Sequence, residues 1–288
     1  MRLVIAIDEG LVMTRKTINI PMSLQKLLDE EARQKNISTD KLILSVLTDH
    51  VKLNIHTVFQ VSTSGALVAG VYDKEVTVGT LLEHGDFGLG TFAGLDGEMV
   101  VLDGHVYQAH GSGKVTEATG DAGAPFAVIT EFTPDKSDTI TGIGSFDDLE
   151  ARCDAFRSSD NIFYALRLHG RFSRIKTRVV NPPAPGVALT EAAKSQSEFV
   201  FEDVSGTLVG IWSPAFASEF SVQGYHFHFL SDRRDQGGHV LDVKADTLDF
   251  QIEALTDYHL VLPETEAYLK ANLGRDIAAE LNAAERGH

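Results

Sequence analysis

Hydrophobic and polar residues divide the chain into a short first segment and a long remainder. Over residues 15–20 polar and apolar side chains alternate with the two-residue period of a β-strand. Apolar residues then recur at helical spacing over about 23–35, with Ser23 as the expected N-cap. A second helix is predicted after Ser38, which can cap it. The pattern therefore predicts strand, helix, helix over residues 13–53.

About forty residues in this arrangement cannot enclose a hydrophobic core alone, so the segment needs a partner, most simply a second copy. In its order of elements, residues 13–53 resemble the ribbon-helix-helix family of DNA-binding dimers. The resemblance implies a homodimer with Arg15, Thr17 and Asn19 facing the bases of DNA, and with the helix start near Ser38 on phosphate. The alternative is that the segment only dimerises the protein, or docks on it.

The remainder reads as β-rich. Short β-prone runs separated by glycine fill residues 57–180, where 85–97 is expected to be a loop system and 146–157 a helix. The proline-rich run 181–186 is the expected boundary between two subdomains. More strands and a helix-prone tail follow in residues 181–288. The predicted class is α+β, or mixed α/β.

Charge separates the same two segments. The chain has 288 residues and a net charge of −16. Residues 1–53 carry eight Lys/Arg against seven Asp/Glu, whereas residues 54–288 carry 17 against 34. An acidic surface repels nucleic acid, so most of the protein opposes DNA binding. One cysteine, Cys153, excludes an intrachain disulfide. Together with the lack of about 18 consecutive apolar residues, this favours a cytoplasmic protein without a membrane span.

The sharpest chemical motif is the run GYHFHFLSDRRDQGGHVLDV, residues 224–243. His226 and His228 are two residues apart, so on a strand their imidazoles point to the same face. The polar run that follows ends in two glycines and predicts a hairpin, which returns His239 beside the first two. Three imidazoles leave one coordination position for water or substrate, as a catalytic zinc site requires.

Two other interpretations of these histidines stay open on the motif alone. They could be unrelated residues on a hairpin, or they could belong to a metal barrel of the cupin type, which also begins with His-x-His. The cupin pattern needs a glutamate soon after the second histidine, and Phe229 to Asp232 supply none. A cupin-like oxygenase would bind iron and consume oxygen.

Several separated stretches together resemble the α-acetolactate decarboxylase family over residues 57–288. They are FQVSTSGALVAGVYD from Phe59, HGDFGLGTFAGLDGEMVVLDG from His84, FYALRLHGRFSRIKTR from Phe163, GTLVGIWSP from Gly206, and the histidine hairpin. The resemblance implies a β-rich body in two parts, a mixed sheet and a partly open β-barrel. The β-α-α segment of residues 13–53 would be an addition to it.

The resemblance also implies roles for individual residues. His226, His228 and His239 would hold Zn²⁺, and the remaining site residues would be Glu98, Thr91, Arg178 and a tail glutamate, Glu285. The expected reaction is decarboxylation of 2-acetolactate to acetoin and CO₂ through a metal-stabilised enediolate. Arg178 could hold the substrate carboxylate and Glu98 could return a proton to carbon. A second hypothesis is a DNA-binding regulator whose decarboxylase-like body senses a small 2-hydroxy acid.

Overall fold

A computed structural model describes residues 18–51, 56–184, 186–274 and 280–281; for residues 48–51 it describes the backbone only. The chain divides into two compact units, Met1–Ile55 and His56–His288. In the described part of the chain no helix is long and apolar enough to cross a membrane.

The described part of the first unit, residues 18–51, contains two helices, α1 (Met22–Gln34) and α2 (Thr39–Val51). The predicted cap of α2 is confirmed, because the Ser38 hydroxyl accepts the Lys41 N–H at 3.1 Å. The predicted cap of α1 is wrong, since Ser23 lies inside the helix and Pro21 precedes its first residue. Proline is compatible with that place because it needs no N–H there. Of the predicted strand, residues 15–17 lie outside the described residues, and Asn19 forms a single β-bridge.

The second unit begins with a seven-stranded mixed sheet. Its edge strand pairs parallel to the first strand of the unit, and every other pair in it is antiparallel. In spatial order the strands are β14 (Asp257–Val261), β1 (Thr57–Val61), β8 (Phe126–Thr130), β3 (Phe87–Thr91), β4 (Glu98–Leu102), β5 (His105–Ala109) and β6 (Val115–Glu117). A separate pair consists of β2 (Val76–Thr77) and β7 (Gly123–Ala124).

The glycine-rich run 85–97 was expected to be a loop system, and that expectation is wrong. It contains β3, a fully buried central strand. The glycines serve close approach: a Cβ on Gly88 would lie 2.1 Å from the Val128 carbonyl oxygen, and one on Gly90 would lie 2.4 Å from that of Phe126. Side chains there would push β8 away, so glycine is required within a strand.

Five long antiparallel strands form the other sheet. They are β9 (Lys136–Ile143), β10 (Phe163–Val179), β11 (Ser197–Ser213), β12 (Gly224–Ser231) and β13 (Gly237–Leu255). Because β10 pairs with both β11 and β13, four of the strands close on themselves as a barrel. β12 and β13 pair over only three residues, which leaves the barrel partly open. The expected fold, a mixed sheet plus a partly open β-barrel, is confirmed.

The expected subdomain boundary at 181–186 is not where the sheets divide. β10 precedes that run and β11 follows it, yet they pair along almost their whole length. β14, from the end of the chain, pairs with β1. Within the described residues of this unit, four short helices lie between strands: α3 (Ser64–Val68), α4 (Val78–Leu82), α5 (Phe146–Asp154) and α6 (Leu189–Ala192). Another, α7 (Glu266–Lys270), follows β14. The Ser145 hydroxyl caps α5.

Candidate metal centre

Three buried histidines converge where β12 meets β13. His226 Nε2 lies 3.2 Å from His228 Nε2 and 3.1 Å from His239 Nδ1. All three candidate ligand atoms lie within 4.8 Å of one another. Nitrogens at 2.0–2.1 Å from one tetrahedral zinc ion would be roughly 3.3 Å apart. The rings therefore fit a single small metal ion that all three would bind.

The strand register explains why these rings meet. His228 pairs directly with His239 across the hairpin, and the two-residue period puts His226 on the same face as His228. Gly238 precedes His239 with φ +138°, and a Cβ there would lie 2.8 Å from the Arg178 carbonyl oxygen. The glycine thus lets β13 approach β10 closely enough to bring His239 opposite Arg178.

The face of β12 opposite the histidines holds the strand in place. Phe227 and Phe229, which alternate with the histidines, are buried in a cluster inside the barrel. Fully burying such a side chain contributes roughly 1.5–3 kcal/mol. A one-residue slip of β12 would place these phenylalanines in the site and the histidines in the apolar cluster, so the hydrophobic pattern also fixes the direction of the ligands.

Burial favours the neutral form of two of the imidazoles. It lowers the pKa of His228 to about 3, although the hydrogen bond to the Met99 carbonyl acts in the opposite direction. Burial, with His228 and Arg178 nearby, likewise holds the pKa of His226 well below its usual value. His228 Nδ1 lies 2.7 Å from the Met99 carbonyl oxygen, which can only accept, so Nδ1 carries the proton. The lone pair of Nε2 is then directed to the metal position.

A buried ion pair lies beside the histidines. Arg178 Nη1 donates to Glu98 Oε1 at 3.1 Å, and the Val180 N–H donates to the same oxygen at 3.3 Å. The other oxygen, Oε2, is 3.7 Å from His228 Nε2. Two donors fix the orientation of the carboxylate, so one of its oxygens is directed at the metal position. A charge-assisted bond between buried groups of this kind holds both side chains in one geometry.

Thr91 pairs with Glu98 across β3 and β4 and is also buried. Its hydroxyl donates to the Gly97 carbonyl oxygen at 2.8 Å, which stabilises the turn that leads into Glu98. The structure thus brings together His226, His228 and His239 with Glu98, Arg178 and Thr91. Glu285 lies outside the described residues, so its place in the site stays a prediction.

The site encloses a cavity of about 40 Å³. Thr91, Glu98, Arg178, His226 and His228 line it together with a set of apolar side chains, namely Leu67, Leu95, Phe126, Val180, Leu189 and Val222. Sequence reasoning missed this apolar set. Its members come from six separate parts of the chain, and nothing in their local pattern distinguishes them from ordinary core residues.

Comparison with known proteins identifies the second unit. The family model described as alpha-acetolactate decarboxylase matches residues 58–275. The chain is 39% identical to the alpha-acetolactate decarboxylase of Methanosarcina mazei over 229 residues, 79% of this chain and 80% of that protein. It is 37% identical to that of Bacillus licheniformis over 253 residues, 87% of this chain and 98% of that protein.

A solved structure agrees with these matches. The crystal structure of alpha-acetolactate decarboxylase from Bacillus subtilis superimposes with a TM-score of 0.77 at 36% identity, over 81% of this chain and 100% of that chain. The family model spans the whole histidine hairpin, and this removes the cupin alternative. The chain therefore belongs to the alpha-acetolactate decarboxylase family.

Proposed function

We propose that the protein is a zinc-dependent carboxy-lyase that converts 2-acetolactate to acetoin and CO₂. One observation carries the proposal: three buried imidazoles converge beside a buried Glu98–Arg178 pair at a small cavity. The relatives named alpha-acetolactate decarboxylase support the choice of substrate.

His226, His228 and His239 would hold the metal. Three nitrogen ligands with no cysteine suit a catalytic zinc site, which keeps a position for substrate. A bound Zn²⁺ would act as a Lewis acid that stabilises negative charge on the oxygens of the ketol. His226 and His228 need no deprotonation near neutral pH, because burial lowers the pKa of both imidazoles.

Arg178 and Glu98 would manage the charge and the proton. The bond from carbon 2 to the carboxylate breaks and CO₂ leaves. The electron pair of that bond stays on the remaining fragment and moves toward the neighbouring ketone. Arg178, which is buried, offsets the charge that the substrate carboxylate brings into the cavity. The reaction consumes one proton from solvent; Glu98 would take up this proton and deliver it to carbon, which completes acetoin. We expect Oε2 to carry that proton, because it is the carboxylate oxygen that lies 3.7 Å from His228 Nε2.

The test joins elemental analysis of the purified protein to an acetoin assay. We expect about one zinc per chain, and a loss of acetoin formation on chelation that zinc restores. A metal-loaded protein that forms no acetoin from 2-acetolactate would overturn the proposal. Restoration by iron with consumption of oxygen would replace the lyase by an oxygenase.

We also propose that residues 13–53 join two copies of the chain. Among the described side chains of this unit only Ala32 and Leu42 are fully buried hydrophobics. Large apolar side chains lie exposed on both helices and before them: Ile18, Met22, Leu24, Leu27, Leu44, Val46 and Leu47. Water contact at so many apolar side chains is unfavourable, and a second copy would remove it.

The single, buried Cys153 supports a reducing, cytoplasmic location.

Deletion of residues 1–53 tests this role. The family model matches residues 58–275, all of which the deletion keeps, so the shortened protein is expected to fold. We expect unchanged turnover and fewer chains per particle by light scattering. An unchanged number of chains per particle would refute the pairing, and loss of turnover would show that the segment completes the site. Specific binding of DNA by the full chain, absent from the shortened one, would extend the role of the segment to the regulator hypothesis.

A further inference from the structure

The cavity at the metal centre has two chemically different sides. Its ionisable and hydroxyl side chains form one group of lining residues, called here the polar side, and the apolar set named above forms the other, the apolar side. Each member of that set is at most 8% exposed. At ~10–15 Å³ for one water molecule, 40 Å³ is room for about three. A substrate must therefore fit closely, and its alkyl groups must meet the apolar side.

Leu67 is held firmly on that side. It lies in α3, whose five residues are all buried. The Thr63 hydroxyl caps the helix by accepting the Ala66 N–H. Gly70, just after the helix, has φ +85°, and a Cβ there would lie 3.0 Å from the Val187 carbonyl oxygen. The turn after α3 thus packs directly on the backbone that leads into α6.

Leu189 reaches the cavity on a segment that folds back from β10. The chain leaves the site after Val180, passes the proline-rich run and returns as α6. Asn181 closes this segment, because its amide donates to the Ser195 carbonyl oxygen at 2.5 Å and to the Ser197 hydroxyl at 3.1 Å. The packing at Asn181 is tight, since a Cβ on Gly111 would lie 1.7 Å from its Oδ1.

We propose that Leu67 and Leu189 set the upper size of the alkyl group on the carbon that carries the substrate carboxylate. The inference rests on the proposed function. The carboxylate, hydroxyl and ketone of a 2-hydroxy-3-oxo acid have partners on the polar side, so the alkyl group is left to the apolar side. A methyl group fits there, whereas a propyl group would overlap the leucine side chains.

These two leucines are better candidates than the other apolar residues. Val180 donates its N–H to Glu98, and Leu95 lies in the turn before it. A change at either would also move the carboxylate. Leu67 and Leu189 belong to short helices that carry none of the polar residues of the site. Shortening their side chains should enlarge the cavity and leave the polar side in place.

The experiment uses zinc-loaded full-length protein and compares kcat/KM for two substrates. One is 2-acetolactate, and the other is the analogue in which propyl replaces the methyl group on the carbon that carries the carboxylate. We expect the wild-type protein to prefer 2-acetolactate. In Leu67→Ala and Leu189→Ala the preference should fall about tenfold or more, since one methylene in an apolar pocket changes discrimination by ~10–200-fold. If an alanine variant does not fold, Leu189→Val is a smaller change that should lower the preference for 2-acetolactate in the same direction.

Leu255→Ala is the matched control. Leu255 is a buried leucine of the same hydrophobic cluster that does not line the cavity, so its loss should leave the preference unchanged. An unchanged preference in the folded, zinc-loaded Leu67 and Leu189 variants would overturn the inference. So would a wild-type protein that accepts both substrates equally. A wild-type protein that releases CO₂ from neither would instead refute the proposed function.

Discussion

Replacing Glu98 by glutamine separates its chemical role from its structural one. The side chains of Glu98 and Arg178 are 8% and 4% exposed. The amide has nearly the same shape, and its oxygen can still accept the N–H groups of Arg178 and Val180. Removing one partner of a buried ion pair outright costs about 3–5 kcal/mol. Because the hydrogen bonds survive, we expect Glu98→Gln to lower the free energy of unfolding by only about 1–3 kcal/mol.

The effect on turnover should be larger. General acid catalysis by a positioned side chain contributes ~10²–10⁴-fold, and the amide cannot transfer a proton. This factor equals roughly 2.7–5.4 kcal/mol of activation free energy at 1.36 kcal/mol for each tenfold change. A protein with about 5–15 kcal/mol of stability stays folded after the substitution. We therefore expect kcat to fall at least a hundredfold in a folded protein with an unchanged zinc content.

Three measurements on one preparation decide the matter: acetoin formation, zinc content and unfolding in urea. Glu202→Gln is the control, because Glu202 is an exposed carboxylate on β11 away from the cavity. It should leave all three quantities unchanged. If zinc-loaded, folded Glu98→Gln turned over within about tenfold of the wild-type rate, the reasoning that assigns the proton to Glu98 would be refuted.

Other predictions concern the metal, the partly buried His56–Glu253 pair and the glycines of β3. His228→Ala should reduce zinc to well below one per chain by elemental analysis; full occupancy would contradict the ligand assignment. The hydrogen bond to Glu253, with Asp135 nearby, raises the pKa of His56. Protonated His56 is thus favoured in the folded state, and its stabilisation should be lost as pH rises above about 6.5. Urea unfolding at several pH values should show this slope, and His56→Gln should flatten it. Gly90→Ala should cost about 3 kcal/mol or more in urea unfolding, because its Cβ would lie 2.4 Å from the Phe126 carbonyl oxygen. Gly120→Ala, with nothing within 4 Å of its Cβ, should cost little; equal losses would contradict the packing argument.

Local pattern was sufficient for the metal ligands. The spacing of His226 and His228 matches the two-residue period of a strand, and the two glycines before His239 mark the hairpin. Both signals lie within twenty residues, so no distant contact was needed to interpret them. The cap of α2 at Ser38 was also predictable, because a capping hydroxyl acts on an N–H three residues away.

The rest of the site depends on contacts between distant parts of the chain. Glu98 and Arg178 are 80 residues apart, and their own surroundings suggested only surface charges; the family resemblance, rather than spacing, brought them into the prediction. The glycines of β3 suggested a loop. Glycine is needed there because the backbone of β8, some forty residues further along the chain, lies too close for a side chain.

The sequence by itself determined the three candidate metal ligands, the β-rich class and the family, because these follow from periodicity and from shared motifs. Only the tertiary structure showed that Glu98 and Arg178 form a buried pair beside the histidines, and which apolar side chains line the cavity. The physical reason is that burial and ion pairing arise where separate strands and helices meet, and no local pattern in the chain records which of them will meet.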